Sequence, residues 1–441
     1  MNIFEAYRTK TISSSKLFES AKKFFINGVN HDIRYYEPYP IFLKKGKGSR
    51  VWDVDNNEYI DFWLGHASLI LGHSYEVIIE EIRELIKNGT LLGMPNEYAI
   101  ELAELINKCI PNAEKIRFCN SGSEATMYAI RLARAYTGKK FILKASGGWH
   151  GYNSNLIKNV WNKEILGLIE EETKYVNTFK FNDINSFESK IKEIKNKLAA
   201  VIVEPVLGAG GAIPAERDFL KIVREETEKY NAVLIFDEII TGFRLGLGGA
   251  QEYYKINADL ITLGKIIGGG FPIGSIAGKS EIIEMANPKR ERSARIGGGT
   301  FSENPVSMRA GYLTLKFLIE NSSSVYNKIN SLGEIARKSI DKIFSEVGLL
   351  TQTTGIGSIL LTHFLTENVE VIKSAEDAQL CDKKLQHLYY LYLITFHNIF
   401  FLPGHVGTIC YAHTDSEIQK LISATLEFSL NYKKNYKNLL Y

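Results

Sequence analysis

The sequence predicts an α/β protein, with a mostly parallel central sheet in a large domain and a second, smaller α+β domain. Three observations carry this. From about residue 75 to residue 236, strand-like apolar runs alternate with amphipathic helical stretches. Gly and Ser follow several of these runs, where open α/β sheets bind ligands. The 441 residues also exceed the roughly 250–300 at which a single core stops growing.

Taken in order, residues 1–27 read as a charged N-terminal helix, with Leu17, Ala21, Phe24 and Phe25 at helical spacing. Residues 41–44 and 50–61 read as strands of a meander, and Asp55-Asn56-Asn57 supplies its turn. Val77–Asn88 and Glu97–Cys109 are amphipathic. Then come a strand at Lys115–Cys119, a helix over 123–136, strands at Lys140–Lys144 and Leu198–Val203, a helix over 216–230, and a strand at Ala232–Phe236. Beyond residue 320, Asn327–Val347 is amphipathic, Thr353–Leu361 strand-like and Asp377–Phe396 helical. Neither terminal region has enough apolar surface for its own core, so the meander is expected to join the C-terminal lobe. The expected division is 1–60 with the small domain, 61–320 as the large domain and 321–441 as the small domain.

Composition excludes several classes. Lys and Arg number 53 against 50 Asp and Glu, and a net charge of +3 argues against a nucleic-acid binder. The longest uncharged apolar stretch, Leu388–Phe396, is far short of the roughly twenty residues that span a bilayer. Residues 1–16 carry no apolar signal core. Cys109, Cys119, Cys381 and Cys410 have no C-x-x-C spacing, so no metal site is expected, and their sparseness fits a reducing cytoplasm.

Four constellations at strand ends bear chemistry. In Phe118-Cys-Asn-Ser-Gly-Ser-Glu, Ser121 with Glu124 fits a capping box, and the helix start behind it offers free N–H groups to an anion. Gly147-Gly-Trp-His-Gly-Tyr brings a ring and an imidazole just past a strand. Asp237 closes the apolar run Leu234-Ile-Phe. Lys265 ends another and precedes Gly268-Gly-Gly, a crowded setting that suits a lowered pKa and Schiff-base chemistry. Each alone has a plain structural reading: an N-cap, a core Trp, a structural Asp, a loop Lys. Together they supply a phosphate cradle, a stacking ring, a carboxylate and an amine, the four things pyridoxal 5'-phosphate needs. A dinucleotide fingerprint is the competitor, but Gly246-Leu-Gly-Gly-Ala has Gln251 where the last glycine should stand.

These motifs extend to Asn120-Ser-Gly-Ser-Glu-Ala-Thr-Met, Ile202-Val-Glu-Pro-Val, Ile235-Phe-Asp-Glu-Ile-Ile-Thr-Gly-Phe-Arg, Leu263-Gly-Lys-Ile-Ile-Gly-Gly-Gly-Phe-Pro and Gly299-Thr-Phe-Ser-Glu-Asn-Pro. From about Gly28 to His413 the chain resembles class III aminotransferases of pyridoxal-phosphate fold type I, within them the glutamate-1-semialdehyde 2,1-aminomutase group. The resemblance implies a homodimer with sites at its interface. Lys265 would be the Schiff-base lysine and proton shuttle, Asp237 the partner of the pyridinium nitrogen, and Ser121, Gly122 and Ser123 the phosphate ligands. Trp149 would stack on the ring, and Thr300 would reach the phosphate of the neighbouring subunit. Arg34 would hold the substrate carboxylate, unless it is a surface residue paired with Asp32 or Glu37. His66 would line the substrate pocket, and Arg244 would be structural.

The departures concern the pocket. His66 stands where aminomutases carry a Trp, Ala209 where they carry an Asn, and His405 nearest a Glu. Their Gly/Ser-rich lid has no counterpart in the short, charged Asn153–Lys180. An aminomutase must retain its diamine intermediate, which a lid helps do. The expected function is therefore intermolecular transamination of a small amino or keto acid, with aminomutation or racemisation on the same scaffold as alternatives. A non-catalytic cofactor binder is the alternative from another class.

Overall fold

The computed structural model describes residues 2–160 and 165–440, with side chains as far as Tyr432. It divides into two compact units, one of residues 76–327 and 372–378, the other of 1–75, 328–371 and 379–441.

The larger unit holds a seven-stranded sheet, its strands numbered here within the unit: β1 Lys115–Cys119, β2 Phe141–Ala145, β3 Val176–Phe179, β4 Leu198–Val203, β5 Val233–Asp237, β6 Leu260–Gly264 and β7 Gly274–Gly278. The order is β1-β7-β6-β5-β4-β2-β3. Only β7 runs antiparallel to its neighbours. Every residue of β4, β5, β6 and β7 is buried, as continuous apolar runs in a covered sheet require. The helix Gly122–Thr137 presents Ala125, Ala129 and Ala133, small enough to approach Ile202, Ile235 and Leu260 closely in the same core.

Three of these strands are absent from the expected pattern. β3 is short and half-polar. β6 is the apolar run before Lys265, which in the sequence shows only as that residue's flank. β7 is Gly-Ser-Ile-Ala-Gly, which has little β propensity. Its composition answers to packing: a Cβ at Gly274 would lie 2.1 Å from the Ser121 carbonyl oxygen.

In the smaller unit the meander strands Leu43–Lys47, Arg50–Asp53 and Glu58–Asp61 continue into Ile399–Phe400, which pairs parallel to Glu58–Asp61. A second sheet joins Thr351–Thr354, Ile359–Phe364 and Gly407–Thr408. The apolar stretch Leu388–Phe396 lies in helix Lys383–His397, most of it buried. No helix among the described residues is long and apolar enough to cross a membrane.

Some elements differ from the sequence expectation. The N-terminal helix is two helices, Ile3–Lys10 and Ile12–Ala21, broken at Thr11. The Asp55 carboxylate stabilises the second start by accepting from the Ser13 and Ser14 amides at 2.6 and 2.9 Å. Residues 353–361 belong to a hairpin turning at Gly355, where φ is +126° and a Cβ would meet the Ile359 carbonyl. The stretch 377–396 is split, and Asp382 caps its second helix by accepting from the Leu385 amide at 2.9 Å.

Candidate active site

Parallel strands deliver their carboxyl ends to one edge of the sheet. β1, β2, β4, β5 and β6 end there in Asn120–Ser123, Gly147–Gly151, Glu204, Asp237 and Lys265. All four constellations of the sequence are thus gathered in the larger unit.

Ser121 is the N-cap of Gly122–Thr137, its hydroxyl accepting from the Glu124 amide at 3.2 Å. Glu124 returns the contact to the Asn120 amide at 2.8 Å. The Gly122 and Ser123 amides that follow have no intrahelical acceptor, and a helix start of this kind suits an anion. Gly151 closes on this turn, and a Cβ there would lie 2.3 Å from Ser123 Oγ. Thr300 is exposed, in a loop held to the turn by Asn120 Nδ2 donating to the Gly298 carbonyl at 2.9 Å.

Asp237 is 4% exposed. His150 Nδ1 donates to its Oδ2 at 2.7 Å, and Thr262 Oγ1 and the Ile239 amide donate to Oδ1 at 3.0 and 3.2 Å. Burial lowers the His150 pKa while Asp237 opposes the shift. The carboxylate is therefore fixed, and a donor such as a protonated ring nitrogen can still approach it. His150 Nε2 is buried without a hydrogen-bond partner among the described residues, so the pocket has polar capacity that its own side chains leave unmet. Trp149 is half-buried, edge-on to Tyr152 at 4.7 Å between centroids. Its amide donates to Glu204 Oε1 at 2.7 Å.

Lys265 has φ +49°, a left-handed conformation that costs a lysine about 1–2 kcal/mol. Backbone strain of this kind concentrates at functional sites. Burial pushes the amine down to about 8, with Asp237 and Glu204 pulling it up and Arg244 lowering it. Glu204 is shifted upward, first by burial and then by Asp237. Arg244 is fully buried. These donors, the carboxylate and the amine fit pyridoxal 5'-phosphate: the Ser121–Ser123 turn for its phosphate, Asp237 for its ring nitrogen, Lys265 for its aldehyde.

The two substrate residues expected from the resemblance lie in the smaller unit. Arg34 is exposed, and among the described residues it forms no ion pair with Asp32 or Glu37. Glu37 instead accepts the Tyr35 hydroxyl. His66 sits in a run from Leu64 to Ala67 in which every φ is positive. Asp61 braces that run, accepting from the Trp63 and Leu64 amides at 2.7 and 3.1 Å and from His73 Nε2 at 2.7 Å. The His66 ring packs on Trp63 at 4.2 Å and on His31 at 5.1 Å, with His405 6.0 Å from Trp63. Burial pushes His405 down to about 4, so it is neutral at pH 7.

Comparison with known proteins follows the same lines. A family model described as aminotransferase class-III matches residues 33–396. The chain belongs to the class III aminotransferases. A glutamate-1-semialdehyde 2,1-aminomutase of Thermodesulfovibrio yellowstonii is 38% identical over 94% of this chain and 98% of its own. One of Methanosphaera stadtmanae is 39% identical over 97% and 100%. Among solved structures, an omega-transaminase from Sphaerobacter thermophilus superposes with a TM-score of 0.88 at 30% identity, covering 96% of this chain and 98% of that one. A β-phenylalanine aminotransferase from Variovorax paradoxus gives 0.89 at 28%, covering 98% and 97%. A transaminase with bound pyridoxal phosphate gives 0.86 at 29%, covering 96% and 99%. The protein is thus a pyridoxal-phosphate-dependent enzyme of fold type I.

In the sequence His150 stands out only as part of the Gly147–Tyr152 motif, and Glu204 only within Ile202-Val-Glu-Pro-Val. A charged residue ending the wholly apolar run Leu198–Val203 was the available signal for Glu204.

Proposed function

We propose that the enzyme is an aminotransferase moving an amino group between a small amino acid and a keto acid or aldehyde. Bound at the sheet edge, the cofactor supplies an electron sink. Asp237 accepts a hydrogen bond from the ring nitrogen and so favours its protonated form. Lys265 would hold the cofactor through its aldehyde and, once freed as a neutral amine, would take up and return the substrate's proton on Nζ. The helix start at Ser121–Ser123 carries the phosphate, and Trp149 covers the ring. Arg34 takes the substrate carboxylate as a guanidinium fork, and His66 lines the substrate pocket. We place the enzyme in the cytoplasm as a homodimer, with Thr300 reaching the partner's phosphate.

One observation carries the choice of reaction: a neutral imidazole, His405, in place of a carboxylate of the aminomutase pattern. His66 and Ala209 are further departures from the aminomutase pattern, and the Asn153–Lys180 segment lacks the Gly/Ser-rich lid, although its residues 161–164 lie outside the described ones. Glutamate-1-semialdehyde aminomutation is the second reading, favoured by the names of relatives at 36–39% identity.

The test is the visible spectrum of the loaded enzyme while single amino donors are added: α-amino acids, a β-amino acid, an ω-amine and a diaminovalerate. Bleaching of the yellow form with release of a keto product supports transamination. A response to the diaminovalerate alone selects the aminomutase. Inversion of a donor without keto product makes it a racemase, and no response to any donor a non-catalytic binder. Undiminished turnover in Lys265→Ala overturns the mechanism as a whole.

A further inference from the structure

Lys144 is the last but one residue of β2 and is 0% exposed. A buried ammonium usually pairs with a carboxylate. Here Nζ donates instead to three backbone carbonyls: Gly148 at 2.8 Å, Leu156 at 2.7 Å and Lys158 at 2.9 Å. Three acceptors match the three N–H bonds of an ammonium, whereas a neutral amine has two. All three carbonyls belong to one irregular segment, 147–160, with no helix or strand to organise it. That segment carries Trp149 and His150, and Gly151 against the phosphate turn. Further ties of the segment include the Gly147 amide to the Asn159 carbonyl at 2.8 Å, Thr126 Oγ1 to the His150 carbonyl at 2.6 Å, the Trp149 amide to Glu204, the His150 ring to Asp237 and Arg134 to the Asn155 side chain at 2.9 Å.

We propose that Lys144 is a positioning residue whose ammonium, planted in the rigid sheet, draws the 147–160 segment together from within and thereby fixes Trp149 and His150 for the cofactor ring. It touches neither substrate nor cofactor. Gly148 is bound immediately before Trp149, while Leu156 and Lys158 are bound on the return limb, so one charge sets the separation of the two limbs. Burial lowers the Lys144 pKa to about 7 while Glu204 raises it, so an ammonium here is held against a desolvation cost. The inference rests on Trp149 and His150 serving the cofactor.

The test uses the full chain carrying Lys265→Ala, with pyridoxamine 5'-phosphate as a ligand that needs no covalent link, and reads affinity by quenching of tryptophan fluorescence. Lys144→Met is expected to weaken that affinity at least tenfold. In the chain with Lys265 intact, loaded with pyridoxal phosphate, it is expected to reduce the visible circular dichroism that a fixed ring generates. Lys144→Arg, which keeps the charge and donors, is expected to recover part of both. A lowered melting temperature with affinity and dichroism unchanged would make Lys144 merely structural and overturn the proposal. If Lys144→Met does not fold, hydrogen exchange on the wild-type chain decides. Amides of 148–158 already protected without cofactor support preorganisation by Lys144, and amides protected only with cofactor refute it. A wild-type chain that binds no pyridoxal phosphate would instead sink the cofactor reading itself.

Discussion

At the scale of single residues the site is a balance of burial against charge. For Lys265 this balance bears on chemistry, because the amine must be neutral to attack and burial brings it down to about 8. Capture of pyridoxal phosphate by the cofactor-free enzyme should therefore accelerate as pH rises through about 8, and not near the 10.5 of a free lysine. Stopped-flow visible absorbance checks this, referenced to a model amine so that the cofactor's own ionisations cancel. A midpoint near 10 would refute the assignment. The sign carries over to stability. Between about 8 and 10.5 the unfolded chain binds the extra proton, so this lysine makes the cofactor-free fold more stable as pH rises across that window. Lys265 and Asp237 stand out in the sequence because each ends an apolar run; each alone has a plain structural reading, and only their order with the Ser121 turn and Trp149 singles them out. The partner of Asp237 does not stand out. His150 lies 87 positions away, and its contact depends on β2, β4 and β5 being neighbours, which a single sequence does not state. Lys144 was legible as a strand residue only, since the carbonyls that make it important carry no side-chain signal.

Among elements, the phosphate turn depends on how closely three backbones approach. The turn after β1, the strand β7 and the segment after β2 meet where Gly274 and Gly151 have no room for a methyl group. Gly151→Ala would place a Cβ 2.3 Å from Ser123 Oγ at a backbone φ of +88°. It should weaken pyridoxal phosphate binding tenfold or more and cost about 1–3 kcal/mol of stability. Gly138→Ala provides the contrast. It ends the same helix at φ +66° with nothing within 4 Å, so it should cost about 1 kcal/mol and leave cofactor affinity unchanged. Equal effects of the two on affinity, measured by equilibrium titration, would contradict the close-approach argument. This geometry also explains why β7 escaped the sequence reading. Its residues were chosen for smallness against the turn, and smallness erases the apolar pattern by which strands are recognised.

For the whole molecule, the large unit leaves large apolar side chains exposed near one another. Met94 is 73% exposed, Ile100 63% and Phe301 62%. The Asn96 side-chain amide donates to the Glu303 carbonyl at 2.8 Å, so the segments carrying these residues are neighbours. Beside them runs a groove of about 680 Å³ lined by Ile100, Phe118, Gly297 and Glu303. We propose that this patch is an association surface between copies of the chain; Thr300 stands next to Phe301 on it. A homodimer through this face should have about twice the 49.8 kDa chain mass by light scattering. Phe301→Lys together with Met94→Lys should shift it towards the monomer by burying unpaired charge. If Thr300 serves the partner's phosphate, cofactor affinity should fall with dimer dissociation and return as protein concentration rises. A dimeric double variant, or a monomeric one that binds the cofactor as tightly as wild type at every concentration, would separate the apolar face from the site.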